Sequence, residues 1–155
     1  MCIRDRYIAA AWINSRLWTR KQPQPNEVVN DVWLGRLPDT NQLAPFKAVV
    51  DLCAELPLNP RGRVYQSIPV LDLIAPSAEQ CRAAAQTIEH LRSYGPLLVC
   101  CALGYSRSAT AVAAWLLHSG RASTVDAAVA MIQAARPDVV LHAAHRQALE
   151  AAYAD

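Results

Sequence analysis

From residue 26 onward the chain switches repeatedly between two hydrophobic periods. Short β-branched or apolar runs read as strands: EVVNDVWLG (27–35) as two short strands or a hairpin with Asn30 and Asp31 at the turn, then FKAVVDLC (46–53), RVYQSIPVL (63–71) and PLLVCC (96–101). The last is apolar without alternation, as expected of a strand buried on both faces. Helical periods fill the intervals. PSAEQCRAAAQTIEHLRSYG (76–95) offers Ser77 as N-cap and Gly95 as a stop, and SATAVAAWLLHSG (108–120) is apolar enough to be a buried helix. STVDAAVAMIQAARP (123–137) has Ser123 or Thr124 as cap and Pro137 as terminator, and AAHRQALEAAYA (143–154) closes the chain. Strands alternating with helices predict an α/β fold, with a mostly parallel central sheet of about four to five strands flanked by helices.

The chain ahead of this pattern reads differently. MCIRDR (1–6) has no apolar period and resembles a translated sequencing adaptor, so it carries no weight in the fold reading. YIAAAWINSRLWTRKQPQP (7–25) passes from apolar residues through two tryptophans into Arg16, Arg20 and Lys21, then into a Pro/Gln linker. Its apolar part is too short to span a bilayer. Two readings stay open: a surface helix or frayed tail, and the membrane-proximal stub of a chain with a missing upstream segment. The expected division is a tail over 1–25 and a folded domain over 26–155.

Composition narrows the function classes. A chain of 155 residues with 53% hydrophobic content can bury one core, and a net charge of +2 makes no case for nucleic acid as a partner. The five cysteines (Cys2, Cys53, Cys81, Cys100, Cys101) are odd in number, and no secretory signal precedes them. That favours free thiols in a reducing, cytoplasmic setting, at the cytoplasmic face of a membrane if the stub is real. Neither a CxxC pair nor a histidine cluster offers ligand spacing, so no metal and no cofactor are expected. Oligomeric state has no signature in the sequence.

The candidate chemistry lies in CALGYSRS (101–108), which leaves the C-terminal end of a strand and enters a helix. Open α/β sheets bind ligands at such a junction. Amides of Ala102, Leu103, Gly104, Tyr105 and Ser106, with the free donors of the helix N-terminus, would form an anion cradle. Gly104 lets the backbone turn tightly. Arg107 adds a planar fork suited to two phosphate oxygens. The same positive field favours a thiolate at Cys101, and a thiolate facing an anion cradle suggests attack of sulfur on phosphorus.

Cys101 to Ser108 fits CX5R(S/T), and in its strand–loop–helix context it resembles the cysteine-dependent protein tyrosine phosphatase superfamily, dual-specificity branch. Asp72 in IPVLDLIAPS, 29 residues upstream of Cys101, lies near where that branch carries its general acid. VWLGRLPD resembles the family's early strand, and AMIQAARPDVVL followed by HRQALEA its closing helices, so the similarity covers roughly residues 27 to 153. The resemblance implies a phosphatase-type anion loop and a phosphocysteine intermediate formed without metal. Cys101 would be the nucleophile, Arg107 and the loop amides the oxyanion binders, Asp72 the acid and then base, and Ser108 a hydrogen-bond partner of the sulfur.

Spacing separates the two adjacent cysteines: counted from Cys100, Ser106 would stand where arginine must be. Cys100 occupies the place where most relatives carry histidine, a departure that admits a phosphate-binding pseudophosphatase module. DLCAE also resembles a segment of the tensin-homologue lipid phosphatase, which implies Cys53 as a redox partner of Cys101. The loop has no basic residue before Arg107, which favours phosphotyrosine, phosphoserine or phosphothreonine proteins over multiply phosphorylated lipids. A singly phosphorylated lipid or small phosphomonoester is the alternative substrate.

Overall fold

The computed structural model describes residues 3–154; Cys2 lies outside them. Five strands form one sheet: β1 (Asn26–Val29), β2 (Val32–Arg36), β3 (Ala48–Cys53), β4 (Val64–Val70) and β5 (Leu97–Cys101). Their order is β1-β2-β5-β3-β4; β1 and β2 pair antiparallel and every other pairing is parallel. This is the architecture the alternating periods predicted. Asn30 and Asp31 both take positive φ (50° and 62°), the geometry of a two-residue hairpin turn whose twist matches the flanking strands.

Every residue of β3 and β5 is buried, so both faces of the sheet centre are covered. On one face Leu97, Val99 and Cys101 pack with α3 (Ala78–Leu91), α4 (Arg107–His118), α5 (Val125–Ala135) and α6 (Ala143–Tyr153). On the other, Leu98 and Cys100 join Val49, Cys53 and Phe46 in a smaller cluster. The period-2 alternation of a strand therefore sends the adjacent cysteines to opposite layers. Helix α4 is the central helix, with residues 107–116 all buried. Ser77 and Thr124 cap α3 and α5 as expected; Ser77 forms a capping box with Gln80. A single helical turn, α2 (Thr40–Leu43), was not legible from the pattern, being too short to show a period; its signal is the Asp39–Gln42 capping box.

Residues ahead of the sheet form α1 (Ile3–Trp18), whose Ile8 and Ala11 pack against the smaller cluster and whose Ser15 is buried. Buried Thr19 accepts a hydrogen bond from Arg36 at 2.7 Å, and the carbonyl of Pro23 accepts one from Gln42 at 2.6 Å, so this segment is bonded to the domain. Among the described residues no helix is long and apolar enough to cross a membrane.

Candidate active site

Strand β5 ends by delivering Cys101 to the mouth of a five-residue turn, 102–106, that enters α4 at Arg107. The turn is pressed against β2. Gly104 has φ of 75°, and a β-carbon there would sit 2.4 Å from the carbonyl carbon of Gly35. Glycine is required on both counts, conformation and space. In that position the amide of Gly104 donates to Cys101 Sγ at 3.2 Å, and Ser108 Oγ lies 3.2 Å from the same sulfur.

The loop carbonyls are engaged on its outer side. Those of Leu103 and Gly104 accept from the guanidinium of Arg136 (3.3 and 2.9 Å). That of Tyr105 accepts from the amide of Val140 (3.0 Å), and that of Ser106 from both the amide and the hydroxyl of Thr110 (2.8 and 2.7 Å). With its carbonyls held outward, the loop is free to turn N–H groups inward, as the Gly104 amide does toward the sulfur, which is the geometry of an anion nest. The ring of Tyr105 lies against Arg136, 5.0 Å from its guanidinium carbon.

Arg107, the first residue of α4, is buried. Its Nη1 donates to Glu55 Oε2 and to the carbonyl of Val70, both at 2.8 Å, and its Nη2 donates to Glu55 Oε1 at 2.6 Å. Burial works to lower the pKa of this guanidinium, but the bidentate bond to Glu55 and the facing Cys101 outweigh it and raise the value. Burial likewise pushes the Glu55 carboxyl up, and the hydrogen bonds and charge of Arg107 bring the net value down. The pair is ionised and its fork is locked in place. Asp72, on the loop after β4, is 61% exposed, with Oδ1 3.4 Å from Arg107 Nη2. A cavity of about 340 Å³ opens here, lined by Glu55, Asp72 and Leu103 on one side and Tyr7, Ala10 and Asn14 of α1 on the other.

The sequence-predicted residues Cys101, Gly104, Arg107, Ser108 and Asp72 are thus brought to one place. Cys100 is not part of it: fully buried on the far side of β5, opposite Asp51, its thiol is pushed well up by burial and by that carboxylate. Cys53 is a free, buried thiol pushed up to about 12 by burial and by Glu55, so it would be a slow resolving nucleophile. Two residues escaped the sequence reading. Glu55 stands in DLCAE, two residues after Cys53, and Arg136 stands at the end of a helix before Pro137, and neither position carries a local signal of its role. Among the described residues no cluster of His, Cys, Asp or Glu could hold a metal ion. What remains is a thiol held by the Gly104 amide and the Ser108 hydroxyl at the mouth of the loop, with a fixed guanidinium at the start of the following helix, an arrangement suited to binding a tetrahedral oxyanion and attacking it.

The family model for the dual specificity phosphatase catalytic domain matches residues 32–154. Among solved structures, the active form of Tk-PTP is 28% identical, with a TM-score of 0.75 over 84% of this chain and 97% of that one. Human DUSP28 is 24% identical, with a TM-score of 0.73 over 84% of this chain and 93% of that one. PTPMT1 in complex with PI(5)P is 18% identical, with a TM-score of 0.73 over 83% and 93% respectively. The last two likenesses speak to the fold alone. No curated protein matches the chain.

Proposed function

The chain belongs to the dual specificity phosphatase family, a cysteine phosphatase working through phosphocysteine, and from that premise we propose that its substrates are phosphotyrosine, phosphoserine and phosphothreonine proteins. The observation that carries the assignment of roles is the Cys101 sulfur, which accepts from Gly104 and faces Ser108 beside a guanidinium clamped by Glu55.

In the first step the Cys101 thiolate attacks phosphorus in line, forming the S–P bond as the ester P–O bond breaks. Asp72 gives its proton to the departing alkoxide or phenoxide. The loop amides and Arg107 hold the equatorial oxygens where charge gathers. In the second step water attacks the phosphocysteine, Asp72 takes a proton from it, and sulfur leaves as a thiolate stabilised by the Gly104 amide and the Ser108 hydroxyl. Inorganic phosphate is released. Arg107 is the only cation in the CX5R loop, which suits one phosphate per substrate molecule.

Hydrolysis of an aryl phosphate by wild type and by Cys101→Ser tests the mechanism. Loss of turnover in the variant is expected; activity that survives the change would overturn the reading, and an inactive wild type that still binds phosphate would make this a recognition module. A phosphorylated lipid or small phosphomonoester is the second reading. It is favoured by the apolar Ala10, Ala11 and Leu56 at the cavity wall and by the PI(5)P held by PTPMT1. Parallel turnover of a phosphotyrosine peptide and a phosphorylated lipid separates the two.

A further inference from the structure

The cavity that Asp72, Glu55 and Ala102 line beside the CX5R loop is flanked by two elements, α1 and the loop carrying Asp72, whose large apolar side chains are exposed. On the helix side, Tyr7, Leu17 and Trp18 of α1 are exposed and share one helical stripe with Asn14, and the exposed Arg20 and Lys21 follow in the turn after the helix. Asn14 lines the catalytic cavity and also a shallow groove shared with Leu17, Trp18, Arg20 and Lys21, so the stripe runs outward from the mouth without a break. On the loop that brings Asp72 to the cavity, the neighbouring Leu71, Leu73 and Ile74 are all exposed. Leu73 is the most telling of them: it stands 97% exposed with φ of 63°, a left-handed conformation that crowds a leucine side chain against its own backbone. A position held in an unfavourable conformation in order to present an apolar side chain to solvent points to a surface role.

Charge identifies what that surface meets. Residues 7–21 contain Arg16, Arg20 and Lys21 and no acidic residue. Arg20 and Lys21 are exposed at the end of the stripe, next to Trp18, whose indole is oriented by a hydrogen bond to Asn14 Oδ1 at 3.0 Å. Aromatic and aliphatic side chains flanked by cations are the chemistry of an anionic lipid interface: the rings and chains enter the headgroup boundary while the cations pair with anionic headgroups. We propose that α1 and the Leu71–Ile74 loop form a collar that seats the protein on an anionic lipid surface with the catalytic mouth facing it, so that the phosphomonoesters reaching Cys101 are those displayed at that surface. The seating is independent of which phosphomonoester is cleaved.

Co-sedimentation with vesicles tests this. The full chain should bind vesicles of equimolar phosphatidylglycerol and phosphatidylcholine, bind pure phosphatidylcholine far less, and be released by salt. Arg20→Glu with Lys21→Glu should weaken binding at least about tenfold while leaving hydrolysis of a soluble aryl phosphate unchanged. Leu73→Asn is the discriminating variant for folding, since asparagine tolerates positive φ: thermal stability should hold or rise while vesicle binding falls. Cys101→Ser should bind as wild type does, which keeps this result separate from the outcome for the phosphatase chemistry. No vesicle binding by wild type, or binding indifferent to both sets of variants, would overturn the proposal. So would a dimer in light scattering that these substitutions dissolve, because the collar would then be a surface for self-association.

Discussion

Two arginines buried on either side of the anion loop, Arg107 and Arg136, have opposite electrostatic situations. Arg107 lies inside the curve and faces a carboxylate pair: Glu55 takes two of its donors, and Asp72 waits at 3.4 Å. Arg136 lies outside the curve and is fully buried, with no ion-pair partner among the described residues. Its fork is spent on carbonyls, those of Leu103 and Gly104 in the loop and of Gln22 and Gln24 in the chain before β1, and on the side-chain oxygen of Asn26. Burial accordingly lowers the pKa of Arg136, whereas Glu55 turns the net shift of Arg107 upward. The contrast shows a division of labour. A cation meant to grip an incoming anion is held by a carboxylate that fixes its orientation. A cation meant to hold backbone is surrounded by oxygens with partial charge, and it turns the loop's dipoles in the direction the anion needs.

Substitutions can break this comparison at either end. The largest effect is expected for Arg107→Lys, which keeps the charge beside Glu55 but loses the planar fork; kcat/KM for an aryl phosphate should fall about 10³-fold. A loss below tenfold would mean that the fork is not what binds the transition state. Arg136→Met should act through the loop instead. It strands several buried carbonyls, costing at least about 2 kcal/mol in denaturant unfolding, and lowers kcat/KM by about tenfold to a hundredfold through weaker oxyanion binding. Inhibition by vanadate reads the second effect independently of stability. If the folded variant binds vanadate as wild type does, Arg136 is structural only.

The smallest effect sharpens the rule for buried charge. Asp51 is buried with neutral donors, the Cys53 amide (2.8 Å) and the Tyr65 hydroxyl (2.9 Å), and burial raises its pKa. The folded protein therefore holds this proton more tightly than the unfolded chain does. The stability that proton confers is present below the unfolded pKa and is lost as pH rises through the folded one. Asp51→Asn should remove that dependence, so the variant should gain stability relative to wild type as pH rises through the folded-state pKa of Asp51, read from denaturant unfolding at acidic and at neutral pH. Equal offsets at acidic and neutral pH would show that folding leaves the Asp51 pKa where the unfolded chain has it.

The central strands were legible because they are buried on both faces, so that β5 reads as an unbroken apolar run and β3 as a β-branched run interrupted only by Asp51, and the nucleophile was legible because only Cys101 has an arginine at the required spacing. Glu55 and Arg136 were not. Each acts on a partner far along the chain, 52 residues away for Glu55 and Arg107 and 32 for Arg136 and Gly104, and no local period records such a meeting. Arg136 is harder still, since its partners are mostly backbone carbonyls, which every residue possesses. The inner face of α1 was hidden for another reason: its outer face is also apolar and aromatic, so the two cancel in any one-sided pattern.

The near-contact between Gly104 and Gly35 bears on protein engineering. Because the bend and the neighbouring strand meet main chain to main chain, neither can be exchanged for a bulkier relative's version unless its counterpart is exchanged too. The portable module is the eight-residue signature together with β2, and a graft carrying the signature alone would arrive with its donors aimed at nothing.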